Sequence, residues 1–151
     1  MNLRLRTIGR ADLETLARIH ARCFPEDAWE VAALAGVLAI AGAEARLAED
    51  DGRPVGFLFA SIVAEEAEIL TFGVAPEARL QGIARALLAD LYARAAALGA
   101  NRVVLEVAAD NSAALALYES EGFRTVGLRN GYYYRDRGPA IDAWLLRRML
   151  V

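Results

Sequence analysis

Hydrophobic and polar residues follow two different periods along the chain, and these periods predict its elements. Residues 3–8 alternate, which is typical of a strand with one buried face. Residues 11–24 instead carry apolar side chains three and four positions apart, which predicts an amphipathic helix that Pro25 ends. A second, alanine-rich helix is predicted over residues 29–40, with Gly42 near its end.

The remaining pattern predicts an alternation of strands and helices. Apolar segments at 43–49, 55–64 and 67–74 indicate strands, 83–98 and 113–121 show helical spacing, and 102–108 indicates a strand buried on both faces. Residues 123–135 and 140–150 predict a hairpin around a turn at 136–139. The order βααβββαβαββ predicts an α/β (α+β) fold, a mixed sheet of about seven strands with about four helices. Because no repeat or linker interrupts the pattern, we expect a single domain over 1–151.

Composition narrows the class of protein. Net charge is −3 and the pI is near 5.2, which disfavours a nucleic-acid partner because phosphate binding needs a basic field. Apolar runs are too short for a membrane span, and the amino terminus does not resemble a signal peptide. A single cysteine excludes an internal disulfide and fits a reducing cytoplasm, and a single histidine beside it argues against a metal site. Cys23 and His20 are therefore expected to be packing or surface groups.

The segment RLQGIARALL places small residues where a helix begins. Unpaired main-chain N–H groups at a helix start can bind phosphate if a ligand comes close, and Gly82 and Ala84 leave room for it. Arg79 and Arg85 add positive charge beside this turn. The segment lacks the GK[ST] ending of a P-loop and the GxGxxG of a dinucleotide site. Taken alone, it is equally compatible with a surface turn whose arginines are solvated.

Gly73 interrupts the preceding apolar strand, where a glycine often marks close approach of a ligand or another backbone. The segment Phe72-Gly73-Val74 would then offer its main chain just upstream of the phosphate-binding turn. A ligand with a pyrophosphate at one end and a linear, amide-bearing arm at the other fits this arrangement. Coenzyme A is such a molecule.

Four segments carry a resemblance to a known family. Arg79-Leu80-Gln81-Gly82-Ile83-Ala84 matches the [QR]-x-x-G-x-[GA] motif of the GCN5-related N-acetyltransferases (GNAT). LEVAADNSAALALYESEGF, CFPEDAW and RNGYYY resemble the RimI-type N-terminal acetyltransferases within that family. The motif here ends in alanine, which the family pattern allows.

The resemblance implies a GNAT fold in which the fourth and fifth strands splay apart around acetyl-CoA. The main chain of Phe72 and Val74 would then contact the pantetheine arm, and Asn111 would lie near the reactive end. The pyrophosphate would be wrapped by Leu80, Gln81, Gly82, Ile83, Ala84 and Arg85. Acetyl-CoA is a co-substrate here, and no metal is implied.

The resemblance also assigns two catalytic residues. Tyr118 matches the general acid, since a phenol with a pKa near 10 stays protonated at neutral pH and can donate to a thiolate. It could equally be a core tyrosine on an amphipathic helix. Glu106 matches the general base and lies in an otherwise apolar strand, where a carboxylate needs a role or a partner. A solvent-facing or arginine-paired glutamate is the alternative, and Glu68 on the neighbouring strand is a rival base.

The acceptor that the resemblance implies is the N-terminal alanine of a small-subunit ribosomal protein, acetylated by direct attack in a ternary complex. An α-amine titrates near 7.7–8.0 and a lysine near 10.4, so the α-amine needs less help to deprotonate. The run Tyr132–Tyr134 would either line the acceptor cleft or be ordinary strand aromatics. A small-molecule amine, a protein lysine, or a coenzyme-binding module without chemistry remain alternatives. We expect a monomer or weak dimer.

Overall fold

The computed structural model describes residues 1–134 and 138–150, and its strands and helices follow the predicted order. The strands are β1 (Leu3–Thr7), β2 (Ala43–Asp50), β3 (Arg53–Val63), β4 (Glu66–Val74), β5 (Arg102–Ala108), β6 (Arg124–Tyr133) and β7 (Ile141–Met149). The helices are α1 (Leu13–Cys23), α2 (Val31–Leu38), α3 (Ile83–Ala97) and α4 (Ser112–Ser120). Arg135 and residues 136 and 137 of the predicted terminal turn lie outside the described residues.

The strands form one seven-stranded sheet in the order β1-β2-β3-β4-β5-β7-β6. Neighbours pair antiparallel except β4 and β5, which are parallel because α3 crosses between them. The mixed sheet predicted from the sequence is therefore confirmed. The expectation that β5 is buried on both faces is wrong: Val103, Leu105 and Val107 are buried, whereas the alternate residues between them are only half-buried.

The helices cover the two faces of the sheet in pairs. Gly56 and Phe57 pair with Val74 and Gly73, and consecutive strand residues point to opposite faces. A side chain built at Gly56 would meet α3, and one built at Gly73 would meet Cys23 of α1. Helices α1 and α3 therefore lie on opposite faces. Helix α4 shares the face of α3, to which it is tied by side-chain hydrogen bonds and ion pairs, and α2 packs beside α1.

Strand β4 contains one extra residue relative to β3. Ala60 pairs with Ile69, but Phe59 pairs with Thr71, so Leu70 is a β-bulge. A bulge interrupts the alternation of side chains, and Ile69 and Thr71 consequently point to opposite faces although they are two positions apart. Ile69 faces α3, as does Leu105 opposite it on β5, whereas Thr71 faces α1.

Candidate active site

The two parallel strands separate towards their carboxyl ends. Pairing between β4 and β5 extends only from Glu66–Ile69 to Arg102–Leu105, although β4 continues to Val74 and β5 to Ala108. Strand β4 stays paired with β3, and β5 with β7, to their ends, so the gap opens only between β4 and β5. This confirms the predicted splay. Beyond Ile69 and Leu105 the facing edges no longer pair with each other, which leaves main-chain groups for a ligand, except those that already have partners, such as the Val74 and Ala108 carbonyls.

The turn before α3 has the backbone geometry of an anion site. Gly82 adopts φ +84° as the residue before the helix, and Leu80 is also left-handed at φ +62°. No atom lies within 4 Å of the position that a Cβ on Gly82 would take, so glycine is needed there for its conformation. The first intrahelical N–H is that of Ala86, which donates to the Gly82 carbonyl. The amides of Ile83, Ala84 and Arg85 precede it and are left for another acceptor.

The two arginines of this turn are held by the protein itself. The Arg79 Nε donates to the Val74 carbonyl oxygen at 3.1 Å. The Arg85 guanidinium donates to Glu121 at 2.5 Å and to the Ser120 hydroxyl at 3.0 Å. Their charge lies beside the turn, but part of it is already neutralised. The main-chain amides and the helix dipole are therefore the principal anion-attracting groups.

Gly73 is explained by packing. A Cβ there would lie 2.9 Å from the ring of Phe57 and 3.1 Å from the sulfur of Cys23. Its face is thus already filled by side chains, which corrects the expectation that ligand approach requires the glycine. The neighbouring Val74 carbonyl accepts hydrogen bonds from Cys23 and Arg79, so the Val74 amide is its less occupied main-chain group.

A cavity of about 450 Å³ lies where β4 and β5 separate. It is lined by four of the residues predicted from the sequence: Phe72, Glu106, Asn111 and Tyr118. Glu68, Gly73, Val74 and the turn residues 79–85 do not line it. Tyr133 does, which places one of the three consecutive tyrosines at this cavity. The cavity passes through the splay, because Tyr118 reaches it from the α3 face and Thr71 from the α1 face.

Tyr118 is buried to 7% exposure on α4. Its ring lies 5.3 Å from that of Phe123 and 6.3 Å from that of Phe72, so it is also a core residue, as the alternative held. Burial raises the pKa of its hydroxyl, with smaller contributions from Tyr92 and Tyr133. The phenol is therefore protonated at neutral pH. Its hydroxyl has no hydrogen-bond partner among the described residues, and it is free to donate to a ligand in the cavity.

Glu106 lines the cavity with a half-buried carboxylate that pairs with Arg129 Nη2 at 3.1 Å. The Arg129 guanidinium also lies over the Tyr132 ring, 5.3 Å from its centre. Glu68 of β4 lies on the same face as Glu106, opposite Val104 of β5, and it does not line the cavity. Desolvation raises the pKa of Glu68, and the charges of Glu66 and Glu106 add to the shift. Position thus favours Glu106 over Glu68 as a group that could reach a bound amine.

Asn111 has a structural role at the start of α4. Its side-chain oxygen accepts the Ala114 amide at 3.2 Å and caps the amino end of α4. The residue also lines the cavity. A contact between Asn111 and a ligand is therefore compatible with its capping role.

The sequence of this chain matches a known family over most of its length. Residues 13–123 match the acetyltransferase (GNAT) family. The chain belongs to this family. GNAT members take the acetyl group from acetyl-CoA, and this chain is accordingly an acetyl-CoA-dependent N-acetyltransferase.

Similar proteins fall among enzymes that acetylate amines. The chain is 40% identical over 152 aligned positions to the N-alpha-acetyltransferase RimI of Mycobacterium tuberculosis, covering 94% of this chain and 91% of that one. The S18-alanine N-acetyltransferase of Escherichia coli is 39% identical over 83 positions, about half of each chain. Its crystal structure covers 98% of this chain and 94% of its own with a TM-score of 0.90 at 28% identity. The structure of Arabidopsis thaliana NAA60 in complex with acetyl-CoA matches with a TM-score of 0.85 at 27% identity, and the match covers 98% of both chains.

The residues present fit a coenzyme A thioester. The unpaired amides at the start of α3 suit its pyrophosphate, and the separated strand edges suit the amides of its pantetheine arm. Among the described residues no group of three or more His, Cys, Asp or Glu side chains could hold a metal ion. No helix in the described part of this GNAT chain is both long and apolar enough to cross a membrane.

Three side chains of the site on the α1 side were not predicted from the sequence. His20, Thr71 and Trp29 all line the cavity. His20 is buried, as expected of a packing group, but it also hydrogen-bonds Thr71 at 2.8 Å and Trp29 at 3.1 Å. A histidine within an apolar helical stripe and a threonine within an apolar strand were the available signals. Nothing in the linear sequence indicated that the two meet.

Proposed function

We propose that this chain is a protein N-terminal α-acetyltransferase whose substrate is the N-terminal alanine of a small-subunit ribosomal protein. The observation that carries this proposal is its similarity to RimI over 94% of its length. The fold similarity to the S18-alanine enzyme supports the same acceptor. We take residues 1–151 as one domain that works in the cytoplasm as a monomer or weak dimer, without nucleic acid.

The coenzyme is proposed to run from the start of α3 into the splay. The amides of Leu80, Gln81, Gly82, Ile83, Ala84 and Arg85 would hold its pyrophosphate, with Arg79 beside them. The main chain of Phe72, Gly73 and Val74 would pair with the pantetheine arm, and the amide of Asn111 would lie near the thioester. The open space around Gly82 and the termination of β4–β5 pairing at Ile69 support this placement.

Two residues would handle the protons of the reaction. Bound acetyl-CoA supplies an activated acetyl group, which an amine nitrogen takes as the carbon–sulfur bond breaks. Glu106 would accept the proton that the amine loses, directly or through one water. Tyr118 would donate its proton to the departing sulfur, and solvent would then restore both groups. The buried, protonated phenol and the carboxylate at the same cavity support these roles.

An α-amine is the easier acceptor for such a site. At neutral pH about one α-amine in ten is unprotonated, against about one lysine in a few thousand. A single carboxylate can therefore supply enough deprotonated α-amine. Tyr133 at the cavity gives the acceptor side an aromatic wall that suits a peptide.

An acceptor panel tests the proposal. The protein is incubated with acetyl-CoA and one of three acceptors: a short peptide with a free N-terminal alanine, an N-terminally blocked peptide containing lysine, or a polyamine. Free thiol release gives the rate, and mass spectrometry locates the acetyl group. We expect turnover on the free α-amine and at least a hundredfold less on the other two. Turnover confined to the blocked peptide or the polyamine would contradict the proposal.

A further inference from the structure

The bulge at Leu70 turns the Thr71 side chain towards the cavity on the α1 face. Without the extra residue, Thr71 would share the α3 face with Ile69. Glu106 lies on the same face as Thr71, across the splay. This follows because Val103 of β5 pairs with Arg148, whose guanidinium contacts Tyr92 of α3, so odd-numbered β5 residues face α3. Thr71 and Glu106 thus border the same side of the cavity.

The hydrogen bonds around Thr71 run in one direction. The Trp29 amide donates to His20 Nδ1 at 3.1 Å, so that nitrogen carries no proton. Burial lowers the pKa of His20 to about 4, and the ring is therefore neutral with its proton on Nε2. His20 Nε2 then donates to the Thr71 hydroxyl oxygen across 2.8 Å. The Thr71 oxygen is an acceptor in this bond, and its own hydrogen is not used by it.

That hydrogen has no acceptor among the described residues. His20 is the only hydrogen-bond partner of the Thr71 hydroxyl in the described part of the chain, although Thr71 is only 8% exposed. The His20 ring is fixed by stacking between Trp29 and Phe57, at 5.4 and 5.5 Å. A buried hydroxyl with a fixed oxygen and a free hydrogen is a directed donor, and the cavity is the space that it borders.

We propose that Thr71 donates a hydrogen bond to the first main-chain carbonyl oxygen of the acceptor, and so selects an amine that has a carbonyl two bonds away. The inference rests on the proposed function. An amine that loses its proton to Glu106 must lie on this side of the cavity, and in a peptide its carbonyl group follows at the next carbon. A lysine side chain or a polyamine has no carbonyl group at that distance. Thr71 thereby distinguishes an N-terminus from other amines.

The test measures three variants, Thr71→Val, Thr71→Ser and Thr71→Cys, on two acceptors. One acceptor is an N-terminal alanine peptide, and the other carries an E-alkene in place of its first amide, which removes the carbonyl oxygen. Thr71→Val should lower kcat/KM on the amide peptide about tenfold and on the alkene peptide less than about twofold. Thr71→Ser should stay within about threefold of the parent on both. Coenzyme affinity, measured by calorimetry, should not change.

The Thr71→Cys variant guards the test against misfolding of Thr71→Val. Thr71→Val leaves the His20 Nε2–H without an acceptor, which can destabilise the chain. Thr71→Cys keeps an acceptor for His20 but offers only a weak S–H donor to the cavity, and it should show the same dependence on the acceptor. Equal losses on both peptides, or no loss on either, would overturn the inference while leaving the proposed function intact. If the parent protein fails to acetylate any free N-terminus, the proposed function and the inference both fail.

Discussion

The side of the site proposed to hold the coenzyme and the side proposed to hold the acceptor are built in different ways. On the coenzyme side the proposed binding groups are main-chain amides, presented by a short segment in which Leu80 and Gly82 are left-handed. On the acceptor side the groups are side chains that contact partners far away in the sequence: His20 pairs with Thr71, and Glu106 pairs with Arg129. The coenzyme side needs only a few consecutive residues. The acceptor side needs the correct register of several strands.

This difference separates what a local sequence can specify from what only the folded chain can. A main-chain anion site depends on backbone dihedrals, which a glycine and a helix start determine. A directed hydroxyl depends on a bulge, on a stacked imidazole and on a neighbouring helix. Substitutions on the two sides should therefore differ in their effects on turnover, coenzyme binding and stability.

The largest effect on activity is expected at Tyr118, which reaches the cavity from the α3 face of the sheet. Tyr118→Phe removes only the proposed proton donor and should lower kcat by about a hundredfold or more. The dissociation constant of coenzyme A, measured by calorimetry, should change little. Tyr92→Phe is the control, because the Tyr92 hydroxyl bonds Glu121 outside the cavity. Equal losses of turnover and coenzyme binding would make Tyr118 a packing residue.

The two carboxylates on the α1 face should differ clearly. Glu106→Gln should lower kcat/KM about a hundredfold, because it removes the proposed base at the cavity. Glu68→Gln should lower it less than about threefold, since Glu68 lies outside the cavity. Initial rates on the N-terminal alanine peptide decide between them. A larger loss for Glu68→Gln would transfer the role of base to Glu68.

His20 should make stability depend on pH. Burial lowers its pKa from 6.5 to about 4, so the unfolded state binds the extra proton between these values. The stabilisation is complete above pH 6.5 and is lost as pH falls towards 4, with an upper size of about 3–4 kcal/mol. Urea unfolding at pH 7 and pH 5 measures it. His20→Phe should be less stable at pH 7 and less sensitive to acid; an unchanged sensitivity would contradict the buried, neutral imidazole.

The smallest effects should come from two glycines that serve different needs. Gly82→Ala places a side chain in open space at φ +84°, which costs about 1–2 kcal/mol in that conformation and should weaken coenzyme binding several-fold. Gly73→Ala drives a methyl group against Phe57 and Cys23, and should lower the free energy of unfolding by about 1–3 kcal/mol. Calorimetry and urea unfolding on both variants test the contrast. Weaker coenzyme binding in Gly73→Ala alone would reverse it.

The fold and the coenzyme side could be predicted because their signals are local. Hydrophobic periods predicted each strand and helix, and the segment around Gly82 indicated the family, which the match over residues 13–123 confirms; the anion site there stays a prediction. The packing role of Gly73 could not be predicted, since the side chains that fill the space beside it come from α1 and β3. Strict alternation would put Ile69 and Thr71 on one face, and nothing in the segment AEILTFGV marks the bulge between them. Such contacts depend on register and not on sequence neighbours.

One feature of the topology bears on when the enzyme can first act. Strand β7 follows β6 along the chain but is inserted between β5 and β6 in the sheet. While the polypeptide is being synthesised, the strand that carries Glu106 therefore lacks a neighbour on one side until residues 141–149 have emerged from the ribosome. Arg129, on β6, is likewise joined to the sheet only through β7. A nascent chain can form the half proposed to bind phosphate early, but the half proposed to bind the amine cannot be completed before residues 141–149 have been translated.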